Sequence, residues 1–163
     1  MTLNQFFRER DSHLPPETIY SLGIQLTSIV ERIHKTGYIY NDLNLDNLLL
    51  DYDFNVDHKQ SKIGDFFEKH SVNIVDVHFA TSYKDDYSKV HLNQKTLKSY
   101  RGSVLFSSIN QLNFQSTSRR DDIISILYLL VYLLHKGNMP GITIAEDDDP
   151  EKVFERVKKV RAS

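Results

Sequence analysis

An aspartate and an asparagine five residues apart, Asp42 and Asn47, open an apolar run, Leu48-Leu49-Leu50. A second carboxylate, Asp76, follows Asn47 by 29 residues, just past the β-favouring stretch Val72-Asn73-Ile74-Val75. A carboxylate within hydrogen-bond reach of a hydroxyl can take its proton. An amide oxygen and a carboxylate are hard donors, suited to a hard divalent cation beside phosphate oxygens. Each residue also has an ordinary reading: Asp42 as a loop aspartate bonding its own backbone, Asn47 as a turn residue, Asp76 as a strand end, Leu49 as a strand leucine facing a core. Other chemistries find no support. There is no cysteine and no G-x-S-x-G, and the seven histidines lack ligand spacing such as H-E-x-x-H. His34, near a helix end, is expected to satisfy a local carbonyl.

The elements that must position these residues can be read from periodicity. A short helix over 2–10 precedes Leu14-Pro15-Pro16-Glu17, a helix start with proline in the first turn. Ile19, Leu22, Leu26, Ile29, Val30 and Ile33 then repeat at helical spacing up to Gly37, giving an amphipathic helix over 17–37. Residues 38–40 favour β structure, and 48–50 and 72–75 are expected to pair. Between them, 51–71 is a polar connection in which Phe66 and Phe67 pack locally. Residues 80–117 have weak periodicity, and so long an irregular stretch is usually functional. An almost uniformly apolar helix over 122–134 follows and, apolar on all faces, belongs at the domain centre. Gly137 closes it and Pro140-Gly141 turns the chain. A last helix starts at the acids Asp147, Asp148 and Asp149, carries the stripe Val153, Val157 and Val160, and ends in Lys158, Lys159 and Arg161, as the helix dipole favours.

The bulk properties bound the rest. A chain of 163 residues, 40% hydrophobic and 26% charged, can form one globular core. A net charge of −2 gives no bulk argument for nucleic acid or an anionic membrane as partner. The apolar run 123–134 falls short of the roughly 20 residues a spanning helix needs. Without cysteine, disulfides and thiolate zinc sites are excluded, and an intracellular setting, cytoplasmic or nuclear, fits. No internal repeat is present.

In order along the chain, these segments resemble the large lobe of a protein kinase, and specifically the casein kinase 1 family. Tyr40-Asn41-Asp42-Leu43-Asn44-Leu45-Asp46-Asn47 resembles the catalytic loop H-R-D-L-x-x-x-N. Asp76-Val77-His78 resembles the magnesium-binding D-F-G. Ser108-Ile109-Asn110 in place of A-P-E, followed by Ser118-Arg119-Arg120-Asp121-Asp122 before the apolar helix, are the most family-specific marks. The resemblance implies an α+β, mostly helical fold: a partial kinase domain over 1–163 with catalytic loop 40–47, magnesium segment 76–78, activation segment 76–110 and central buried helix 122–134. It implies transfer of the γ-phosphoryl of ATP to protein serine or threonine, with Asp42 at the substrate hydroxyl and Asn47 and Asp76 as Mg²⁺ ligands. It further places Leu49 under the adenine and makes Asp122 the anchor of the catalytic-loop backbone; Asp122 could equally cap its helix. The long gap between Asn47 and Asp76 is assigned to an insertion within 51–71.

The departures from the family weigh as much. Tyr40 and Asn41 replace His and Arg, and an asparagine cannot make the bidentate pair of an arginine with a phosphorylated loop. Asn44 replaces a lysine that approaches the γ-phosphate. Val77 and His78 replace Phe and Gly, and Leu105 replaces an arginine that recognises acidic or phosphorylated substrates. No Gly-rich loop, V-A-I-K lysine or hinge of the small lobe is expected in these 163 residues. The expectation is a degenerate or truncated kinase, inactive by itself, with weak ATP and Mg²⁺ binding; the alternative is a non-catalytic pseudokinase module that binds or scaffolds proteins. Partners are a protein substrate or a protein partner, not nucleic acid or membrane. Self-association is expected through an inter-lobe face that includes Leu49, Val75 and the neighbourhood of Tyr40.

Overall fold

The computed structural model describes residues 1–51, 66–145 and 147–163. The insertion expected within 51–71 lies largely outside them. The class is α+β, with about 47% of the chain helical and, among the described residues, strands in two short pairs. Helix α1, Leu3–Arg8, begins with a reciprocal cap in which Thr2 and Gln5 each accept the other's backbone N–H. Helix α2, Pro16–Lys35, starts on proline and is followed by Gly37, whose φ of 97° a side chain would resist. Strand β1, Tyr38–Ile39, leads into loop 40–47. A single 3₁₀ turn, Leu45–Asn47, delivers the chain into β2, Leu48–Leu50. Helix α3, Phe66–Lys69, precedes β3, Val72–Ile74, and β4 is Thr81–Ser82. A 3₁₀ turn at Val104–Phe106 and the short α4, Ile109–Leu112, lead to α5, Arg119–Leu134; α6, Pro150–Ala162, follows.

β2 and β3 pair antiparallel, with Leu49 opposite Asn73, as the two apolar runs suggest. β1 pairs antiparallel with β4 through Ile39 and Thr81. On its other edge β2 meets the first residues of the chain: Thr2 bridges Leu49, and the Leu50 N–H donates to the Met1 carbonyl at 2.9 Å. The core lies between α1, α2, β2 and α5 and includes Phe6, Leu22, Leu26, Leu48 and Leu129, all fully buried.

Three sequence expectations change. Helix α5 is not buried on all faces: Ile126, Leu129 and Leu133 face the core, whereas Ile123, Leu127 and Leu134 are exposed. One side packs on α2, Tyr132 meets Phe106 of the 3₁₀ turn and Tyr128 lies under Arg161, and the strip with Ile123, Leu127 and Leu134 stays exposed. The helix also begins at Arg119, one turn before 122. Phe66 and Phe67 do not merely pack locally; Phe66 stacks into the main core 4.3 Å from the Phe6 ring. Tyr40 is 1% exposed, so it adds nothing to the apolar face proposed for self-association. Among the described residues no helix is long and apolar enough to cross a membrane.

Candidate functional site

Loop 40–47 is suspended from α5. The buried Asp122 accepts the backbone N–H of Tyr40 on Oδ2 and that of Asn41 on Oδ1, each at 2.8 Å. The same Oδ2 lies 2.8 Å from His34 Nε2. Helix capping, which could have fallen to Asp122, is done by its neighbour: Asp121 accepts the Ser118 N–H at 2.7 Å. Asp121 also accepts the Ser108 hydroxyl at 2.7 Å and the Asn110 amide at 2.9 Å. The two most family-specific segments of the sequence therefore meet at one carboxylate.

With its backbone fixed, the loop turns Asp42 toward Asn44 and Asn47. Asp42 Oδ2 accepts from Asn47 Nδ2 at 2.8 Å and Oδ1 from Asn44 Nδ2 at 3.2 Å. Burial pushes the Asp42 carboxyl above the ordinary carboxylate range. The hydrogen bonds from Asn44, Asn47 and Ser103 oppose that shift, and the nearby negative charge of Asp76 adds to it. Asp76 thus belongs to the same site. It is exposed, sits at φ 57°, and accepts the His78 N–H on its own side chain at 3.0 Å. The chain just before Asp76 is stitched to the loop at two points. The Val75 N–H donates to the Asn47 carbonyl at 3.0 Å, and the Tyr40 hydroxyl donates to the Val75 carbonyl at 2.5 Å. Burial, first, and the surrounding carboxylates hold the Tyr40 phenol protonated far above its usual range.

Asn44 has a second task. Its Oδ1 accepts the N–H groups of Asp46 and Asn47 at 2.9 and 3.0 Å, which caps the 3₁₀ turn. Leu49 is half-buried in β2 beside Asn47 but paired with Thr2 and Asn73. A cleft of ≈ 430 Å³ opens beside Asn44 and Asn47, bounded by Arg8 of α1 and by Ser103 and Leu105. Leu105 carries no charge into it, and its carbonyl accepts Arg161 of α6 at 3.0 Å.

The structure thus brings Asp42, Asn47 and Asp76 together and places Leu49 next to them and Asp122 beneath. Sequence reasoning missed His34, whose ring reaches Asp122 and not a local carbonyl, and Gln111, whose amide donates to the Asn41 carbonyl at 2.9 Å. It also missed Tyr83, whose hydroxyl caps the end of α2 through the His34 carbonyl at 2.8 Å. No spacing signal marks these residues, because each acts across a long sequence separation. Among the described residues no group of three or more histidines, cysteines or carboxylates is placed to hold a metal. A donor set that could hold a cation is the Asp76 carboxylate with the Asn47 amide oxygen, the Asn47 NH₂ being turned to Asp42.

The comparisons place the chain beside proteins named casein kinases. No family model matches the chain. Casein kinase I homolog 1 of Saccharomyces cerevisiae is 24% identical over 147 residues, which is 90% of this chain and 25% of that protein. Casein kinase I homolog 2 of the same yeast is 25% identical over 141 residues, 86% of the chain and 23% of the relative. A casein kinase 1-like protein of Oryza sativa subsp. japonica is 26% identical over 120 residues, 73% and 15% respectively. The chain is related to the casein kinase I proteins over most of its length. It spans a quarter or less of the length of these relatives.

Proposed function

We propose that the chain is the large-lobe region of a casein kinase 1-like serine/threonine kinase with a degenerate catalytic centre, and that by itself it transfers no phosphate. The observation that carries this reading is the state of Asn44. Where the family places a lysine beside the γ-phosphate, this chain has a neutral amide. Its oxygen caps a turn and its nitrogen is bonded to Asp42. Phosphoryl transfer depends on positioning and on cations that stabilise the spread negative charge, so losing such a cation commonly costs on the order of a hundredfold or more.

The remaining parts suit the family reaction. Asp42 would accept hydrogen-bond contact from a substrate hydroxyl, and its raised affinity for a proton makes it a stronger base than an exposed aspartate. One carboxylate and one amide oxygen fit Mg²⁺, which commonly takes one or two protein ligands plus phosphate oxygens. Asp76 and Asn47 would hold that ion, and ATP would supply the transferred group. Leu49 would lie under the adenine. The competing reading, a non-catalytic pseudokinase module that binds proteins through residues 76–110, is favoured by the same loss of the lysine. It requires that Asp42→Asn leave such binding untouched.

The test is transfer of radiolabelled phosphate from ATP to a casein-type substrate, with Asp42→Asn as the comparison. The expected outcome is no turnover above that variant. Turnover that disappears in Asp42→Asn would overturn the degenerate reading and leave an active enzyme.

A further inference from the structure

We infer that Asn41 is a positioning residue. It ties residues 79–117 to loop 40–47 through a neutral amide, with no phosphate and no cation in the clamp. Asn41 is 5% exposed and sits at φ 72°, a left-handed backbone that asparagine tolerates better than most residues. Its Nδ2 donates both hydrogens, to the Phe79 carbonyl at 2.8 Å and to the Thr81 hydroxyl oxygen at 2.9 Å. Its Oδ1 accepts the Thr117 hydroxyl in a short hydrogen bond. Its backbone N–H donates to Asp122, and its carbonyl accepts from Gln111. One residue thereby joins the stretch after Asp76, the end of the irregular segment, α4 and α5.

The approach is close on the backbone side too. A Cβ on Gly102, itself at φ 104°, would stand 2.4 Å from the Asn41 carbonyl oxygen. The chemistry of the clamp selects an amide, which donates and accepts at once. A carboxylate could not donate to Phe79. A guanidinium could not accept from Thr117, and at this depth would call for an anion to pair with. Nor do the surroundings supply an anion to pair with. Asp122 is already turned toward two backbone N–H groups and His34. The adjoining cavity of ≈ 140 Å³ presents Tyr83, His91, Lys95 and Arg101 at its walls and no carboxylate. This inference stands on the hydrogen bonds alone and does not require that the chain transfer phosphate.

The test is hydrogen–deuterium exchange on the full chain, produced without phosphorylation, alongside Asn41→Gly and Asn41→Asp. Glycine keeps the left-handed backbone and removes the side chain. Aspartate keeps the shape and removes the donor. The unphosphorylated parent is expected to protect amides across 79–83. Both variants are expected to exchange about tenfold faster there at about pH 7.5, the scale set by one or two lost buried hydrogen bonds, with α2 unchanged. For Asn41→Asp the excess over the parent should shrink at about pH 5, because a buried carboxyl protonates readily and regains one donor. Comparing each variant with the parent at the same pH removes the titration of His34, His91, Asp42 and Asp122 from the difference. Unchanged exchange at 79–83 in a folded Asn41→Gly would overturn the inference. So would protection that appears only after phosphorylation, an Asn41→Asp excess independent of pH, or global unfolding of both variants, which would make Asn41 a general keystone and not a clamp on this segment.

Discussion

Asp42 is half-buried with Asp76 near enough to repel it, so its carboxyl holds a proton more tightly in the folded chain than in the unfolded one. A carboxyl whose pKa is raised on folding stabilises the native state below the unfolded value, and that contribution is lost as pH rises through the folded value. Asp42→Asn cannot titrate at this position. The thermal midpoint of the variant relative to the parent is therefore expected to climb as pH rises above about 4, the ordinary aspartate value. A difference that stays flat, or falls, across paired melting curves would show that Asp42 is not held as described. Gly102 offers a second check at this scale. Gly102→Ala meets both an unfavourable φ and the Asn41 backbone oxygen, and is expected to lower stability by about 1–3 kcal/mol in denaturant titration. Retained stability would mean that the segment can move away from the loop at no cost. Asp42, Asn47 and Asp76 were picked out because two short segments, 40–47 and 76–78, resemble kinase motifs, each readable within a few residues. Gln111 and Thr117 were not. Their contacts to Asn41 span 70 and 76 residues, and a glutamine or threonine carries no pattern that points across such a distance.

At the scale of elements, α5 matters as a bracket more than as a buried rod. Its first turn holds Asp121 and Asp122, one closing the helix start onto residues 108–110 and the other suspending loop 40–47. Asp122→Ala leaves two buried N–H groups and the His34 ring without their acceptor. The expected loss is about 3 kcal/mol or more, a large part of the roughly 5–15 kcal/mol that holds a domain. Asp121→Ala should disturb residues 108–118 first, and Asp122→Ala loop 40–47 first, as read by exchange in each region. Further along the same helix, Leu129→Asp is expected to abolish folding, whereas Leu127→Asp, at a position 56% exposed, is expected to change the unfolding free energy by no more than about 0.5 kcal/mol. Equal effects at the two positions would contradict the one-sided burial of α5. The periodicity of α2 and the two apolar runs of β2 and β3 made those elements legible. The exposure of Ile123 and Leu127 was not, because an apolar sequence says that a face can be buried and not which neighbour buries it. The β1–β4 pair escaped notice for another reason: two-residue strands are too short to show alternation.

At the scale of the molecule, the described residues form a packed body with a long exposed excursion. Residues 86–96 are all exposed, Tyr87 almost completely, and few backbone hydrogen bonds return them to the body. Lys89 lies in the middle, at φ 57°. Exposed tips of this kind are where proteases cut first. Limited trypsin is therefore expected to cleave after Lys89 before any site in α2, α5 or α6. The two halves made by that cut are joined by more than one kind of contact. α2, from the first half, lies so close to α5, from the second, that a Cβ on Gly23 would stand 2.9 Å from Leu130 Cδ1. The Phe7 ring of α1 lies 6.2 Å from that of Tyr132. Asp122 of the second half holds Tyr40, Asn41 and His34 of the first. Apolar burial and a buried hydrogen-bonded carboxylate act across the same seam, so cutting the exposed excursion should remove little of what holds the body together. The nicked protein is expected to elute from a sizing column as one species with near-native circular dichroism, and to separate into two only in denaturant. Halves that part under native conditions would show that residues 86–96 carry stability, and that the Asp122 network and the α2–α5 contact are too weak to join the site residues Asp42, Asn47 and Asp76 to the helix beneath them.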